Sequence, residues 1–293
     1  AVIVLIWQGA LRVDSGALTQ GQVVALYNYM SQILVELIKL ANLIISLTKT
    51  LACANRISDV MDIKNSLENG SAKEGIDGAP AVEFCSAALR YKGSAEPALS
   101  NVTFKAMRGE TIGIIGGTGS GKTSLVNLIP RFYDTDSGCV KVNGVNVREY
   151  DIDSLRRKIG VVPQKAVLFK GTIASNLRWG SEDASERDME SAVGTAQASE
   201  VVNGKDNGYD AYVAQGGSNF SGGQRQRLTI ARALVKDPEI LILDDSASAL
   251  DFATDANLRK AIRELPSNPT VFVVSQRTAS VMNADRIIVL DDG

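Results

Sequence analysis

The run Gly116-Gly117-Thr118-Gly119-Ser120-Gly121-Lys122-Thr123 places four residues between Gly116 and Gly121, with Lys122 and Thr123 directly after them. That pattern, G-x-x-x-x-G-K-[ST], is suited to holding phosphate. Its glycines let the backbone wrap an anion with N–H groups pointing inward, and a following helix adds positive potential from its N-terminus. Lys122 would neutralise the charge of the terminal phosphates, and Thr123 would ligate a magnesium ion. The context fits: Thr111-Ile112-Gly113-Ile114-Ile115 reads as the strand entering the loop, and Ser124 to Ile129 as the helix leaving it. Such a site needs a second carboxylate for the metal's water shell, and Asp244 stands at the end of the apolar run Ile240-Leu241-Ile242-Leu243 with Asp245 next to it.

The composition narrows the chemistry further. The chain has 293 residues and no histidine, so nucleophile–histidine pairs, histidine-ligated zinc and imidazole bases are all excluded. Catalysis has to run on carboxylates, hydroxyls, lysine or a bound metal. With 31 basic against 33 acidic side chains, the formal charge of -2 gives no footprint for a nucleic acid beyond a single nucleotide. Cys53, Cys85 and Cys139 show no C-x-x-C spacing and read as scattered reduced thiols.

The elements that must position these residues divide the chain. After the apolar opening AVIVLIW and a polar turn at Arg12 to Gly16, a second apolar stretch runs from about Val23 to Ala54, densest between Ile33 and Ala52. A helix of that length measures roughly 48 Å, more than the roughly 30 Å hydrocarbon layer of a bilayer. Glu36 and Lys39 inside it would be costly against lipid, so they are expected to face a bundle or an aqueous cavity. A long soluble amphipathic helix is the other reading of this stretch. Residues 57–80 lose their periodicity and become polar and small, as in ENGSAKEGIDGAP, which reads as a linker. Residues 81–293 alternate strand-like and helix-like segments, the pattern of an α/β domain around a mostly parallel sheet. The opening at Ala1 without methionine and the close at Asp291-Asp292-Gly293 after a strand-like run read as the cut ends of a longer chain.

Between the glycine loop and Asp244 lies Phe220-Ser221-Gly222-Gly223-Gln224-Arg225-Gln226-Arg227, opening the helix-like LTIARALV. Here the sequence resembles the ATP-binding cassette (ABC) family, whose signature motif is S-G-G-Q. The glycine loop with Ser124 then corresponds to the Walker A motif and Asp244 to the Walker B aspartate. Tyr91 matches the aromatic that stacks on adenine, and Gln164 in Val161-Val162-Pro163-Gln164 matches the Q-loop, which touches the metal in the family. Ser248-Ala249-Leu250-Asp251 matches the D-loop. The resemblance implies a P-loop NTPase with a RecA-like core, an antiparallel β portion near Ala81 to Phe104 and a helical insertion from about Gly171 to Lys236. Its cofactors would be ATP and Mg2+. Thr123, Gln164 and Asp244 would be the metal contacts.

The segment 1–56 resembles the last two transmembrane helices of an ABC exporter, which implies a multi-pass protein of the plasma or inner membrane with a cytoplasmic nucleotide-binding domain. In that family two such domains meet head to tail, and each ATP lies between one Walker A and the other domain's signature. Ser221, Gly222, Gly223 and Gln224 would therefore serve a nucleotide held by a second half-transporter, while an unspecified substrate crosses the bilayer. Two departures touch the chemistry. The family's general base is a glutamate where this chain has Asp245, and its switch histidine falls at Gln276. A carboxylate one methylene shorter is misplaced, and about 1 Å costs about 100-fold in rate. Glutamine donates a hydrogen bond but neither carries charge nor relays a proton. The pair resembles the degenerate-site subunit of a heterodimeric exporter, with weak hydrolysis at its own site. Gln215, where exporters commonly carry glutamate, is a third departure. A homodimeric exporter that tolerates the changes, a nucleotide-gated channel or regulator, and a soluble ABC ATPase are the competing readings.

Overall fold

The structure is a computed structural model that describes residues 2–63, 67–291 and 293. They form two compact units that divide between Ser66 and Leu67.

The first unit is an α-hairpin of helix α1 (Val2–Asp14) and helix α2 (Gln20–Met61). Thr19 starts α2 as a capping box: its hydroxyl accepts from the Gln22 amide, and the Gln22 side chain accepts from the Thr19 amide. Gly9 lets the helices approach, since a Cβ there would stand 2.6 Å from Val23 Cγ1. At 42 residues, α2 is about 63 Å long and is apolar enough to cross a membrane. Glu36 and Lys39 form an ion pair of 2.8 Å one turn apart, which offsets the cost of each charge within the apolar run.

The second unit is built on a sheet. In chain order its strands are β1 (Val82–Leu89), β2 (Leu99–Ala106), β3 (Thr111–Gly116), β4 (Ser137–Val142), β5 (Val145–Asn146), β6 (Ile159–Val162), β7 (Gly171–Thr172), β8 (Tyr212–Val213), β9 (Ile240–Asp244), β10 (Thr270–Val274) and β11 (Arg286–Leu290). The helices are α3 (Lys122–Leu128), α4 (Ile152–Arg157), α5 (Ile173–Arg178), α6 (Glu186–Thr195), α7 (Ser199–Asn203), α8 (Gly222–Leu234), α9 (Phe252–Arg263) and α10 (Thr278–Val281). Five strands make a parallel sheet in the order β11-β3-β10-β9-β6. Four make an antiparallel sheet in the order β2-β1-β4-β5, which extends the expected antiparallel portion beyond Phe104 to β4 and β5. The helical region runs from β7 through α8.

Strand β9 is buried at every position because both sheet faces are covered. Its alternate side chains enter different cores. Ile240 and Ile242 join Phe84, Ile112, Leu125, Tyr150 and Phe272 beneath the antiparallel sheet. Leu241 and Leu243 join Leu177, Leu228, Ile230 and Val273 beneath the helical region.

The glycine-rich composition of 57–80 has a different physical origin from the one its sequence suggests. Helix α2 continues through Met61, and Leu67 begins the second unit. The amides of Gly70 and Ala72 donate to the carbonyls of Tyr150 and Glu149, and the Ile76 amide to that of Asn143. A Cβ at Gly70 would stand 2.2 Å from the Glu149 carbonyl oxygen, and one at Gly75 2.2 Å from Asn143 Cβ. These glycines serve close backbone approach, not free rotation.

Candidate functional site

The carboxyl ends of β3, β9 and β10 meet at a cleft of about 400 Å³. Its walls carry Tyr91, Ala98, Thr118, Gly119, Gly121, Lys122, Thr123, Ser124, Gln164, Asp244, Asp245, Val274, Ser275 and Gln276. A crevice at the carboxyl ends of parallel strands is where such folds bind ligands.

The loop from Gly116 to Gly121 turns on two left-handed residues, Gly119 at φ 87° and Gly121 at φ 89°, which side chains rarely tolerate. Gly116 has a second constraint: a Cβ there would stand 2.3 Å from the Leu290 carbonyl oxygen. By contrast, one at Gly117 or Gly119 would meet nothing within 4 Å, so the loop's own backbone leaves the space before it free. Lys122 is buried and donates to the carbonyls of Gly116 (2.8 Å) and Gly117 and to Ser120 Oγ (3.3 Å). No carboxylate neutralises it in these bonds, so its charge is held for an anion brought into the loop.

Asp244 is buried at the end of β9 and accepts from Thr123 Oγ1 at 3.0 and 3.3 Å. Burial pushes its carboxyl above the usual carboxylate range, against the Thr123 hydrogen bond and the charge of Lys122, and Asp245 adds to the rise. Hydroxyl, carboxylate and the amide oxygen of Gln164 on one cleft wall are hard oxygen donors, a set that fits a magnesium ion. Asp245 has a left-handed backbone, φ 46°, which aspartate adopts at lower cost than most residues. Its amide donates to the Val274 carbonyl and its carboxylate accepts from Gln164 Nε2 at 3.3 Å. Gln276 follows β10 on the same wall and is exposed.

Tyr91, which follows β1, also lines the cleft. Its hydroxyl is hydrogen-bonded to Ser124 Oγ at 2.9 Å, and its ring meets that of Tyr133 edge to face at 5.0 Å. The cleft thus has an aromatic end, a lysine and glycine middle, and an acidic end.

Ser221, Gly222, Gly223 and Gln224 lie outside this cleft. Ser221 caps α8 as a reciprocal box: its hydroxyl accepts from the Gln224 amide at 3.3 Å, and the Gln224 side chain accepts from the Ser221 amide at 3.0 Å. The cap uses a lone pair of the Ser221 hydroxyl and leaves its proton to donate elsewhere. Gly223 packs near the Ala249 carbonyl, 3.2 Å from where its Cβ would be, so the signature turn and the Ser248–Asp251 turn adjoin within one chain. Asp251 caps α9, accepting from the Thr254 amide and hydroxyl, and those bonds hold its carboxyl below the usual range.

Gly116, Gly117 and Ser120 form the back of the glycine loop and do not line the cleft; Ser120 is buried. Three contributors escape a reading of the sequence. Tyr133 supports Tyr91, Ser275 is a buried part of the cleft wall, and Arg277 donates to the Ala247 and Ser248 carbonyls at 3.3 Å. Tyr133 had one available signal, an aromatic pair directly after Pro130-Arg131 where the helix must end. Nothing local distinguishes the other two.

The family model described as ABC transporter matches residues 99–248. An uncharacterized ABC transporter ATP-binding protein of Mycobacterium bovis is 41% identical over 99% of this chain and 50% of its own length. An ATP-dependent lipid A-core flippase of Vibrio vulnificus is 36% identical over 100% of this chain and 50% of its own length. Among solved structures, a bacterial Atm1-family ABC exporter with ATP bound superposes with a TM-score of 0.77 at 29% identity, over 94% of this chain and 48% of that one. The chain spans about half the length of the curated relatives it matches. With the family model covering the glycine loop, Asp244 and the signature turn, this chain belongs to the ABC transporter family and has the P-loop nucleotide-binding fold of its exporter type.

Proposed function

We propose that the chain is the ATP-binding part of a membrane exporter subunit whose own nucleotide site binds ATP but hydrolyses it poorly. The observation carrying this reading is a complete binding wall joined to an altered reaction wall in one cleft. Tyr91 supplies a face for the adenine, Lys122 and the 118–123 backbone hold the phosphates, and Thr123, Asp244 and Gln164 hold magnesium. A bound magnesium ion supplies charge neutralisation at the terminal phosphates. Asp245 would have to orient and deprotonate the attacking water. Its short carboxylate is instead engaged by Gln164 at 3.3 Å, and Gln276 can donate only a neutral hydrogen bond.

Ser221 to Gln224 then complete the hydrolytic site of a second half-transporter, a heterodimeric partner with an intact acid and switch residue. The free proton of the Ser221 hydroxyl and the N-terminus of α8 suit the terminal phosphate of the partner's nucleotide. Residues 1–56 contribute the last membrane helices, and the flippase and exporter relatives support a place in the plasma or inner membrane with the nucleotide domain on the cytoplasmic side.

The test compares ATP binding and turnover of the whole chain in detergent with the double variant Asp245→Glu, Gln276→His. Tight binding with slow turnover, rising about 100-fold in the variant, is the expected outcome. Brisk turnover by the unaltered chain alone would show both residues to be tolerated and would favour a homodimer.

A further inference from the structure

Cys85 on β1 and Cys139 on β4 are direct partners across the antiparallel ladder. Residues so placed have Cα atoms roughly 4.5–5.5 Å apart, inside the roughly 4.4–6.8 Å that a disulfide spans. Both are free thiols and half-buried. Burial pushes the Cys85 thiol up, and the adjoining Cys139 thiol and the Glu83 carboxylate push the same way against Lys141, so the Cys85 thiolate is scarce at neutral pH and oxidation through it is slow.

The backbone around the pair is pinched independently of the sulfurs. Ser86 takes a left-handed φ of 48° in a bulge where the register shifts, and its amide donates to Thr103 Oγ1 at 2.9 Å. Gly138, at φ 68°, lies so close that a Cβ there would stand 2.2 Å from the Ser86 carbonyl oxygen. The two strands therefore approach closely beside the cysteine pair.

We propose that Cys85 and Cys139 form an oxidant-responsive dithiol site, which hydrogen peroxide closes into a cross-strand disulfide. One thiolate attacks a peroxide oxygen and breaks the O–O bond, giving a sulfenic acid and a hydroxide that takes up the released proton. The second thiolate then attacks that sulfur, forms the S–S bond and expels the oxygen as a second water. The two sulfurs lose two electrons in total and the peroxide gains them. The loop so closed, from 85 to 139, contains Tyr91, Tyr133 and the whole of the 116–123 phosphate loop, so the cross-link restricts the unfolded chain across that segment and raises the stability of the fold that carries the cleft.

The test uses the whole chain in detergent, reduced and then treated with stoichiometric hydrogen peroxide, followed by maleimide labelling and peptide mass mapping. Expected is a loss of about 2 Da that joins the peptides of Cys85 and Cys139 while Cys53 still labels, with a thermal midpoint raised by about several degrees and restored by dithiothreitol. Phenylarsine oxide, which bridges two thiols with loss of water, should bind once per reduced chain and shield both from maleimide. Either C85S or C139S should abolish that retention. Independent labelling of both thiols after peroxide and after the arsenical, in protein of unchanged melting, would overturn the proposal, as would a stable sulfenic or sulfinic acid on one beside a free thiol on the other.

Discussion

Tyr91 is the residue whose contribution to the cleft can be isolated most cleanly, because its ring and its hydroxyl do different things. The hydroxyl is hydrogen-bonded to Ser124 and the ring meets that of Tyr133 edge to face, which leaves an aromatic face for a base. Stacking on a base is worth about 1–3 kcal/mol, so Tyr91→Ala should weaken ATP binding by about 5- to 150-fold. Tyr91→Phe keeps the face and should lose far less, a contrast readable by titration with a fluorescent ATP analogue; equal losses would mean that the hydroxyl, not the ring, does the holding. The legible residues were those whose chemistry demands a fixed local spacing. Gly116, Gly121, Lys122 and Thr123 must be neighbours because one turn of backbone has to surround one phosphate, so their order in sequence already describes the site. Ser275 and Arg277 act through contacts made by folding, and their neighbours in sequence carry no trace of it.

At the scale of elements, α8 joins a well-capped start to a costly finish. Its first turn satisfies its amides through Ser221 and Gln224, whereas just beyond its last turn Lys236 points into the protein and donates to the Arg156 carbonyl at 2.9 Å. Burial lowers the Lys236 ammonium from 10.5 to about 8. The folded state therefore bears the cost of a buried charge below pH 8. Between about 8 and 10.5 the unfolded chain keeps a proton that the folded chain has shed, so this group makes stability rise with pH across that window. Lys236→Met should stabilise the chain at pH 7 by on the order of 2 kcal/mol, with the gain fading toward pH 10.5 in urea titrations. A gain independent of pH would trace instead to packing. The central parallel strands β9 and β10 were legible as continuous apolar runs, since burial on both faces removes alternation. The segment 67–80 was not: glycines that permit close approach and glycines that permit flexing look alike until the opposing carbonyl of Glu149 is seen.

The molecule as a whole is two units, and an apolar helix of 42 residues in the first sets the conditions under which any of this can be measured. In the second unit, β9 sends Ile240 and Ile242 to one core and Leu241 and Leu243 to the other. Neither core has a complete wall without that strand. Loss of packing under the helical region leaves the parallel sheet bare on one face, and loss under the antiparallel sheet bares the other. The consequence is thermodynamic coupling: residues 67–293 should melt as one calorimetric transition, with equal calorimetric and van't Hoff enthalpies. Ile242→Ala and Leu241→Ala, on opposite faces, should each cost about 2–5 kcal/mol and move that single peak intact. Should either variant split the peak, the cores are separate folding units. A shared strand also means that mechanical strain introduced on the helical side, where the signature turn lies, is carried to Asp244, because β9 is a wall of both cores and ends in that carboxylate.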